Sequence, residues 1–254
     1  FEKSEYDVLL SSGEQMSCAL LAGALINLGL KSRSWMSWQI PILTEGDHSS
    51  SRIKSVNKKE VINYVNSGGI PIITGFQGIS NNKRVTTLGR GGSDATAISI
   101  AKFFGAEDCI IYTDVDGIYT TDPDINRNAK KINKISYEEM LEMSSLGAKV
   151  MQPISIQDAM INDININVKS SFKNIKGTTI SNKQNFSSKN IITGIAFTKN
   201  EAKITIIGVM DRPGIAASIF KPLADNQINV DMVVQTSSPD GGQTDITFTI
   251  VKDD

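Results

Sequence analysis

A glycine-rich segment at residues 86–94 constrains the fold more than any other part of this chain. It reads Thr-Thr-Leu-Gly-Arg-Gly-Gly-Ser-Asp, follows a strand-like run at 84–88 and precedes an apolar run at 95–104 with helical spacing. A strand, a glycine loop and a helix in this order are typical of open α/β sheets that bind phosphate groups. The glycines let backbone N–H groups approach an anion closely, and a helix N-terminus attracts negative charge. The segment therefore predicts an anion site in an α/β domain.

The same segment has a plainer interpretation. A flexible surface loop, followed by a helix capped by Ser93 and Asp94, would have a similar composition. The segment matches neither common nucleotide motif, because it lacks the Lys-Ser/Thr ending of a Walker loop and the glycine spacing of the dinucleotide-binding motif. The neighbouring strands favour the anion site, but the motif by itself does not identify the ligand.

Strand-like and helical runs alternate through the first two-thirds of the chain, separated by an irregular connection at 40–51. This alternation predicts an α/β fold with an open, mainly parallel sheet covered by helices on both faces. The predicted strands lie at 8–11, 32–38, 70–74, 84–88, 109–113 and 164–170, and the predicted helices at 15–28, 58–66, 95–104, 137–145 and 150–162.

A polar stretch at 171–189 marks a change in organisation. We place a first domain at 1–172, a linker at 173–190 and a second, smaller domain at 191–254. The second domain is predicted to be α+β and too short to be stable as an isolated domain, so it should need a partner. Its predicted strands are 191–197, 203–209, 230–235 and 244–251, its helix is 215–225, and a hairpin turn is predicted at 239–242.

Composition excludes several classes of function. The chain has a net charge of −1 and a pI near 6.0, which argues against nucleic-acid or membrane-surface binding. No apolar run approaches the length of a membrane span, and no signal-peptide pattern is present. Cys18 and Cys109 lie in apolar surroundings and are predicted to be reduced core residues of a cytoplasmic protein. The first residue is Phe, which suggests a fragment or processed form.

Other polar residues are candidates for a ligand-binding site, but each also has an ordinary structural interpretation. Asp114, Asp116 and Asp122 follow a predicted strand, where carboxylates orient Mg²⁺ waters or nucleotide hydroxyls, but Asp116 and Asp122 are also ordinary turn residues. A calcium loop is excluded, because from Asp114 the glycine comes at the fourth rather than the sixth position and no Glu closes the loop, and we assign no metal ligands. His48 has no catalytic pattern around it and is predicted to have a bland loop role.

Three further charged residues have equally open interpretations. Lys149 is either a phosphate-binding ammonium or a solvated side chain. Glu14, predicted in the first turn of a helix, either complements the helix dipole or binds the ammonium group of a small substrate. Asp211 is either a simple N-cap or part of a site for a zwitterion.

Taken together, these motifs resemble one family. The chain is similar to the aspartate kinases of the amino-acid kinase family, and its final part resembles the first ACT regulatory unit of those enzymes. The resemblance covers essentially the whole chain and rests on the order and spacing of the motifs at 12–15, 75–78, 86–94, 112–123, 145–150, 211–214 and 228–235.

The resemblance implies transfer of the γ-phosphoryl group of MgATP to the β-carboxylate of L-aspartate, giving 4-phospho-L-aspartate. This is the first step towards lysine, threonine and methionine, and ATP and Mg²⁺ are the implied cofactors. The implied aspartate ligands are Glu14, Arg90 and Ser93; the implied catalytic residues are Asp94 and Arg90; and the implied ATP ligands are Gly91, Gly92, Thr113, Asp114, Tyr119 and Lys149.

The resemblance also implies feedback control by lysine, threonine or both, and a homo-oligomer that pairs through ACT units. The implied effector-binding residues are Asp211, Gly214, Ile215, Ala216, Asn229, Asp231 and Gln235. A non-catalytic amino-acid-binding regulatory subunit and another amino-acid kinase are the alternative hypotheses.

Three departures from the family pattern qualify these expectations. The amino-terminal Lys-Phe-Gly-Gly-Thr-Ser segment, which supplies a catalytic lysine in the family, is absent, so we expect this chain alone to be inactive. The second ACT unit is also absent, so allosteric behaviour is expected to be incomplete. Asp124 stands where the family usually has an arginine near ATP, and a carboxylate cannot replace that cation.

Overall fold

The computed structural model describes residues 1–148, 150–182, 192–210, 212–226, 228–237 and 242–252. The chain divides into two compact units, Phe1–Ala196 and Phe197–Asp254, and each is described by itself below. Unit 1 contains the glycine-rich segment.

Unit 1 begins with one long helix, α1, at Lys3–Asn27. The prediction of a strand at 8–11 is therefore wrong, and so is the placement of Glu14 in a first helical turn, because Glu14 lies in the middle of α1. The short apolar run at 8–10 resembles a strand in isolation, yet Val8, Leu9 and Leu10 are all exposed. Instead, the face of α1 that packs on the strands carries small and polar residues, including Asp7, Ser11 and Cys18.

By length and composition α1 is apolar enough to cross a membrane, which the sequence analysis did not foresee. Its hydrogen bonds, however, attach it to other parts of unit 1. Asp7 is fully buried and hydrogen-bonded to residues 48, 49 and 87, and Gln15 is hydrogen-bonded to Gln77. These bonds fix α1 on the strands of unit 1, as expected for a helix that flanks a sheet.

Short strands and one helix follow α1. Strands β1 and β4 pair in parallel, and a second sheet has the order β3-β2-β5-β6, in which only β2 and β5 run parallel. The connection predicted to be irregular contains β2, and β1 is shorter than predicted. The elements are β1 (Ser32–Trp35), β2 (Ile42–Glu45), β3 (Arg52–Val56), α2 (Lys59–Asn66), β4 (Ile70–Ile73), β5 (Gln77–Ile79) and β6 (Val85–Thr87).

The remainder of unit 1 forms a sheet with the order β7-β9-β10-β8, in which β7 pairs with β9 in parallel. Strand β10 lies inside the segment predicted as a linker and pairs with both β8 and β9. The elements are α3 (Gly92–Phe104), β7 (Asp108–Thr113), β8 (Lys134–Ser136), α4 (Tyr137–Ser145), α5 (Pro153–Ile161), β9 (Asn165–Ser170) and β10 (Thr178–Ser181).

The main core of unit 1 lies between this sheet and helices α3, α4 and α5. Ile98, Met140, Ile156 and Ile166 are almost completely buried there. Helix α4 begins at a capping box, in which Ser136 and Glu139 each bond the backbone of the other, and this explains why its bounds were predicted correctly. Cys18 and Cys109 are both free and buried, as expected.

Unit 2 is an α+β unit with the antiparallel strand order β11-β13-β12 and one helix. Residues 192–197 form no strand, contrary to the prediction, and the predicted hairpin turn at 239–242 lies outside the described residues except for Gly242. The elements are β11 (Glu201–Met210), α6 (Ile215–Asp225), β12 (Val230–Ser237) and β13 (Gln243–Val251). Helix α6 has the predicted bounds.

Candidate active site

The glycine-rich segment forms the turn between β6 and α3. Gly91, with a φ of 73°, is the N-cap of α3, so Gly92 is the first helical residue and Ser93 and Asp94 lie inside the first turn. The prediction that Ser93 and Asp94 cap the helix is therefore wrong. A glycine suits this cap because its φ is positive, and among the described residues no side chain caps the first turn of α3, where the Gly92 N–H donates to the Gly89 carbonyl at 3.1 Å. Uncapped N–H groups at a helix N-terminus bind anions.

Gln152, which the sequence analysis missed, lies against Gly91. A Cβ atom added to Gly91 would be 1.9 Å from Cγ of Gln152. Gln152 is the N-cap of α5, so the segment that leads from α4 to α5 reaches the glycine turn. Lys149, the predicted phosphate ligand in that segment, lies outside the described residues.

Arg90 lies at the tip of the same turn and is exposed. Within the described part of the chain, its guanidinium has neither a carboxylate partner nor a hydrogen bond. An unpaired guanidinium beside a helix N-terminus is suited to bind a carboxylate or a phosphate through two parallel hydrogen bonds.

A cavity of about 440 Å³ brings Glu14 and Ser93 together. Its wall also includes Cys18, Gly75 and Thr96. Glu14 contributes a carboxylate that suits an ammonium group, and Ser93 contributes a hydroxyl from the first turn of α3. Burial and the nearby Glu14 carboxylate raise the pKa of Cys18, so its thiol stays protonated at neutral pH. The cavity therefore places a carboxylate and a hydroxyl on a wall that is otherwise largely apolar, with Pro71, Ile73 and Ile100.

Asp94 is half-buried, and this burial raises its pKa above the usual value for aspartate. Burial, together with the charge of Asp94, also raises the pKa of Cys109 to about 11. A half-buried carboxylate whose ionised form is disfavoured gains stability from a cation or a hydrogen-bond donor on a ligand. A cation or a hydrogen-bond donor of a ligand at the start of α3 would therefore stabilise the ionised form of Asp94.

The end of β7 carries the other predicted nucleotide ligands. Thr113 donates a hydrogen bond of 3.0 Å to Asp114, which is exposed, and Tyr119 is partly buried in the loop that follows. Asp116 instead pairs with Lys173 at 3.0 Å, and Asp122 accepts a hydrogen bond from the backbone N–H of Asp124. These contacts favour the interpretation of Asp116 and Asp122 as ordinary loop residues, and Asp114 is exposed at the end of β7.

The predicted effector-binding residues of unit 2 lie near the ends of α6 and on β12. Gly214 is the N-cap of α6 with a φ of 93°, and Ala216 in the first turn is exposed. Asn229 lines a cavity of about 430 Å³ with Phe220, Leu223 and Val233. Ile215 is partly buried, and Asp231 and Gln235 are exposed. Asp211 lies outside the described residues.

His48 does more than fill a loop, contrary to the prediction. Its Nδ1 lies 2.7 Å from a carboxylate oxygen of the buried Asp7. Asp7 was not identified from the sequence, although it stands seven residues before Glu14, on the same side of a helix. Only the recognition of 3–27 as one helix would have revealed that relation.

Comparison with known proteins identifies the fold around this site. Residues 2–170 match the amino acid kinase family, and residues 203–254 match the ACT domain. The chain belongs to the amino acid kinase family. The predicted fold class, an α/β kinase domain followed by an ACT domain, is confirmed.

The matched relatives are aspartokinases. The chain is 44% identical over 254 residues to the aspartokinase of Corynebacterium glutamicum, covering 98% of this chain and 60% of that protein. It is 43% identical over 247 residues to the aspartate kinase of Pseudomonas putida, covering 97% of this chain and 60% of that protein. The chain thus spans about 60% of the length of these relatives.

Two solved structures of E. coli aspartokinase III are similar over nearly the whole chain. The complex with aspartate and ADP, described as the R-state, has a TM-score of 0.84 and 30% identity, covering 99% of this chain and 56% of that one. The complex with lysine and aspartate, described as the T-state, has a TM-score of 0.79 and 29% identity, covering 98% and 56%.

Proposed function

We propose that this chain carries the catalytic region and an ACT regulatory domain of an aspartate kinase. The reaction transfers the γ-phosphoryl group of MgATP to the β-carboxylate of L-aspartate and gives 4-phospho-L-aspartate. One observation carries the proposal: the carboxylate of Glu14 and the hydroxyl of Ser93 line one cavity, and the guanidinium of Arg90, which has no partner among the described residues, stands three residues from Ser93. The similarity to aspartokinases over most of the chain supports it.

Each group matches one part of the substrate. Glu14 would accept hydrogen bonds from the α-ammonium group, and Arg90 would bind a carboxylate of aspartate in a bidentate pair. Ser93 would donate to a carboxylate oxygen. The Gly91 N–H would donate to the transferring phosphoryl group, and Gly92, whose N–H donates to the Gly89 carbonyl at 3.1 Å, would hold the turn in shape. Such a site accelerates the reaction by holding the two reactants in line and by stabilising charge.

The ATP ligands would be Thr113, Asp114, Tyr119 and Lys149 together with the glycine turn. The described residues contain no group of three or more His, Cys, Asp or Glu side chains that would enclose a metal ion. This donor set fits Mg²⁺ that arrives on the nucleotide, because Mg²⁺ keeps several waters and takes one or two carboxylates, here Asp94 or Asp114. Bound Mg²⁺ would neutralise charge on the phosphates.

We extend the proposal to regulation and location. Lysine, threonine or both would bind at Gly214, Ile215, Ala216, Asn229, Asp231 and Gln235, with Asp211, and ACT units would pair into a homo-oligomer in the cytoplasm. The ACT match and the lysine complex of the related E. coli enzyme support this part.

The test is formation of an acyl phosphate from L-aspartate and MgATP, trapped with hydroxylamine, in the full-length protein. Arg90→Ala should raise the KM for aspartate by about tenfold or more, because a charge-assisted pair is lost. Arg52→Ala removes an exposed arginine on β3 and serves as the matched control. Unchanged aspartate kinetics in Arg90→Ala would overturn the role of Arg90. No product from the unaltered protein, with amino-acid binding retained, would favour a regulatory subunit.

A further inference from the structure

A polar cluster outside the cavity joins α1 to the glycine turn. The carboxylate of Asp7 is fully buried, yet it lies among five potential donors. One oxygen accepts from Ser49 Oγ at 2.9 Å and Thr87 Oγ1 at 2.7 Å. The other accepts from the backbone N–H groups of Ser49 and Thr87, both at 3.1 Å, and lies 2.7 Å from His48 Nδ1.

This carboxylate is ionised at neutral pH. Burial alone would raise the pKa of Asp7, but the hydrogen bonds from Thr87, His48 and Ser49 together lower it below the usual value for aspartate. A buried carboxylate is costly unless donors saturate it, and here they come from two segments distant in sequence. Asp7 therefore holds the loop around residue 49 and the end of β6 against each other.

The end of β6 leads into the turn that carries Arg90, and the loop around Ser49 packs against that turn. Thr87 is the last residue of β6, three positions before Arg90. Ser49 has a φ of 66°, which is strained for a residue with a side chain, and its carbonyl oxygen would lie 2.9 Å from a Cβ added to Gly89. The backbone of Ser49 thus packs against Gly89, and the N–H of Ser51 also donates to the Thr87 carbonyl.

We propose that Asp7 is a positioning residue for Arg90. Through Ser49 and Thr87 it fixes the backbone of residues 87–90, and so it sets where the guanidinium meets a substrate carboxylate. Asp7 itself touches no substrate. The substrate in this statement rests on the proposed function, whereas the fixing of the turn does not.

A purely structural role for Asp7 would lower stability without a specific effect on the turn, so the experiment must separate the two. Asp7→Asn keeps the size of the side chain but presents an amide N–H₂ to groups that are donors themselves. Ser49→Ala removes one hydroxyl and leaves Asp7 in place, which covers the case that Asp7→Asn does not fold. Tyr137→Phe is the matched control, because it removes a buried hydroxyl that donates to the Ile164 carbonyl at 2.7 Å in the main core.

The first readout is hydrogen exchange of the peptide that covers residues 86–92, measured in the full-length protein under native conditions. We expect Asp7→Asn and Ser49→Ala to speed exchange there by about tenfold or more, and Tyr137→Phe to leave it unchanged. Unchanged exchange in both variants, or equal acceleration in Tyr137→Phe, would overturn the proposal. This readout needs no activity, so it decides the proposal even if the protein is not an aspartate kinase.

The second readout is steady-state kinetics of hydroxamate formation. A displaced Arg90 should raise the KM for aspartate more than the KM for ATP in both Asp7→Asn and Ser49→Ala. A uniform fall in kcat with both KM values unchanged would overturn the positioning role, because that pattern indicates less folded enzyme.

Discussion

Unit 1 attaches its helices to its strands in two different ways. Helices α3 and α5 pack on the sheet that contains β7 and β9 mainly through apolar side chains, with Ile98, Ile156 and Ile166 at most 1% exposed. Helix α1 presents Asp7, Ser11 and Gln15 to the strands and leaves Leu9 and Leu20 exposed. Apolar contacts tolerate small displacements, whereas hydrogen bonds are directional. The helix that carries Glu14 is thus the one held in a defined register.

The largest effect is expected on the apolar side of this comparison. Ile156→Ala should lower the free energy of unfolding by about 2–5 kcal/mol, because it removes buried methyl groups and leaves a cavity. Leu20→Ala on α1 should change it by no more than about 0.5 kcal/mol, since Leu20 is 74% exposed. Urea unfolding measures both, and a loss in Leu20→Ala as large as that in Ile156→Ala would show that the outer face of α1 is covered.

A smaller effect is expected on the polar side. Gln77 is fully buried, donates to the Ser11 carbonyl at 3.1 Å and accepts from Gln15 at 3.3 Å. Gln77→Met keeps the approximate volume but leaves the Ser11 carbonyl and the Gln15 amide without these hydrogen bonds. The free energy of unfolding should therefore fall by about 1–3 kcal/mol. If α1 is held by directional bonds, hydrogen exchange should also quicken in α1 and not in α5. Equal acceleration of exchange in α1 and α5 would show that the two helices are not held in different ways.

The same contrast explains what the sequence could predict. Helices α4 and α6 were predicted with their observed bounds, because apolar spacing and clear end signals mark a helix that packs through an apolar face. Helix α1 was misread because its apolar residues face outward, which removes the periodic signal on its buried side. The strand predicted at 191–197 is a similar error, because the apolar run forms no strand at 192–197.

The candidate site divides in a similar way. The glycine turn, Arg90 and Glu14 were identified from motifs, since their chemistry is local in the sequence. Gln152 and Asp7 were not, because their importance comes from contacts with Gly91 and with Ser49 that only the folded chain creates. No local pattern in the sequence indicates such long-range contacts.

The smallest expected effect comes from a comparison of two carboxylates, the fully buried Asp7 on α1 and the half-buried Asp94 on α3. The pKa of Asp7 is lowered in the folded protein, so its ionisation stabilises the fold above the unfolded pKa of about 3.9, and this contribution disappears as pH falls through the lower folded value. The pKa of Asp94 is raised, so its contribution has the opposite sign: it favours the folded state at low pH and is lost as pH rises from about 3.9 through the higher folded value.

The two asparagine variants should therefore move in opposite directions. At neutral pH, Asp7→Asn should unfold more easily and Asp94→Asn less easily than the unaltered protein. As pH is lowered, the Asp94→Asn difference should shrink first, between the raised folded pKa of Asp94 and about 3.9, whereas the Asp7→Asn difference should shrink only below about 3.9, towards the lowered folded pKa of Asp7. Urea unfolding between pH 7 and pH 3 measures this, and the other carboxylates cancel because the variants share them. A stabilised Asp94→Asn that has lost activity would identify Asp94 as a residue kept for function at a cost in stability. A destabilised Asp94→Asn would instead show that both ionised carboxylates stabilise the fold. Asp7 on α1 and Asp94 on α3 would then no longer differ.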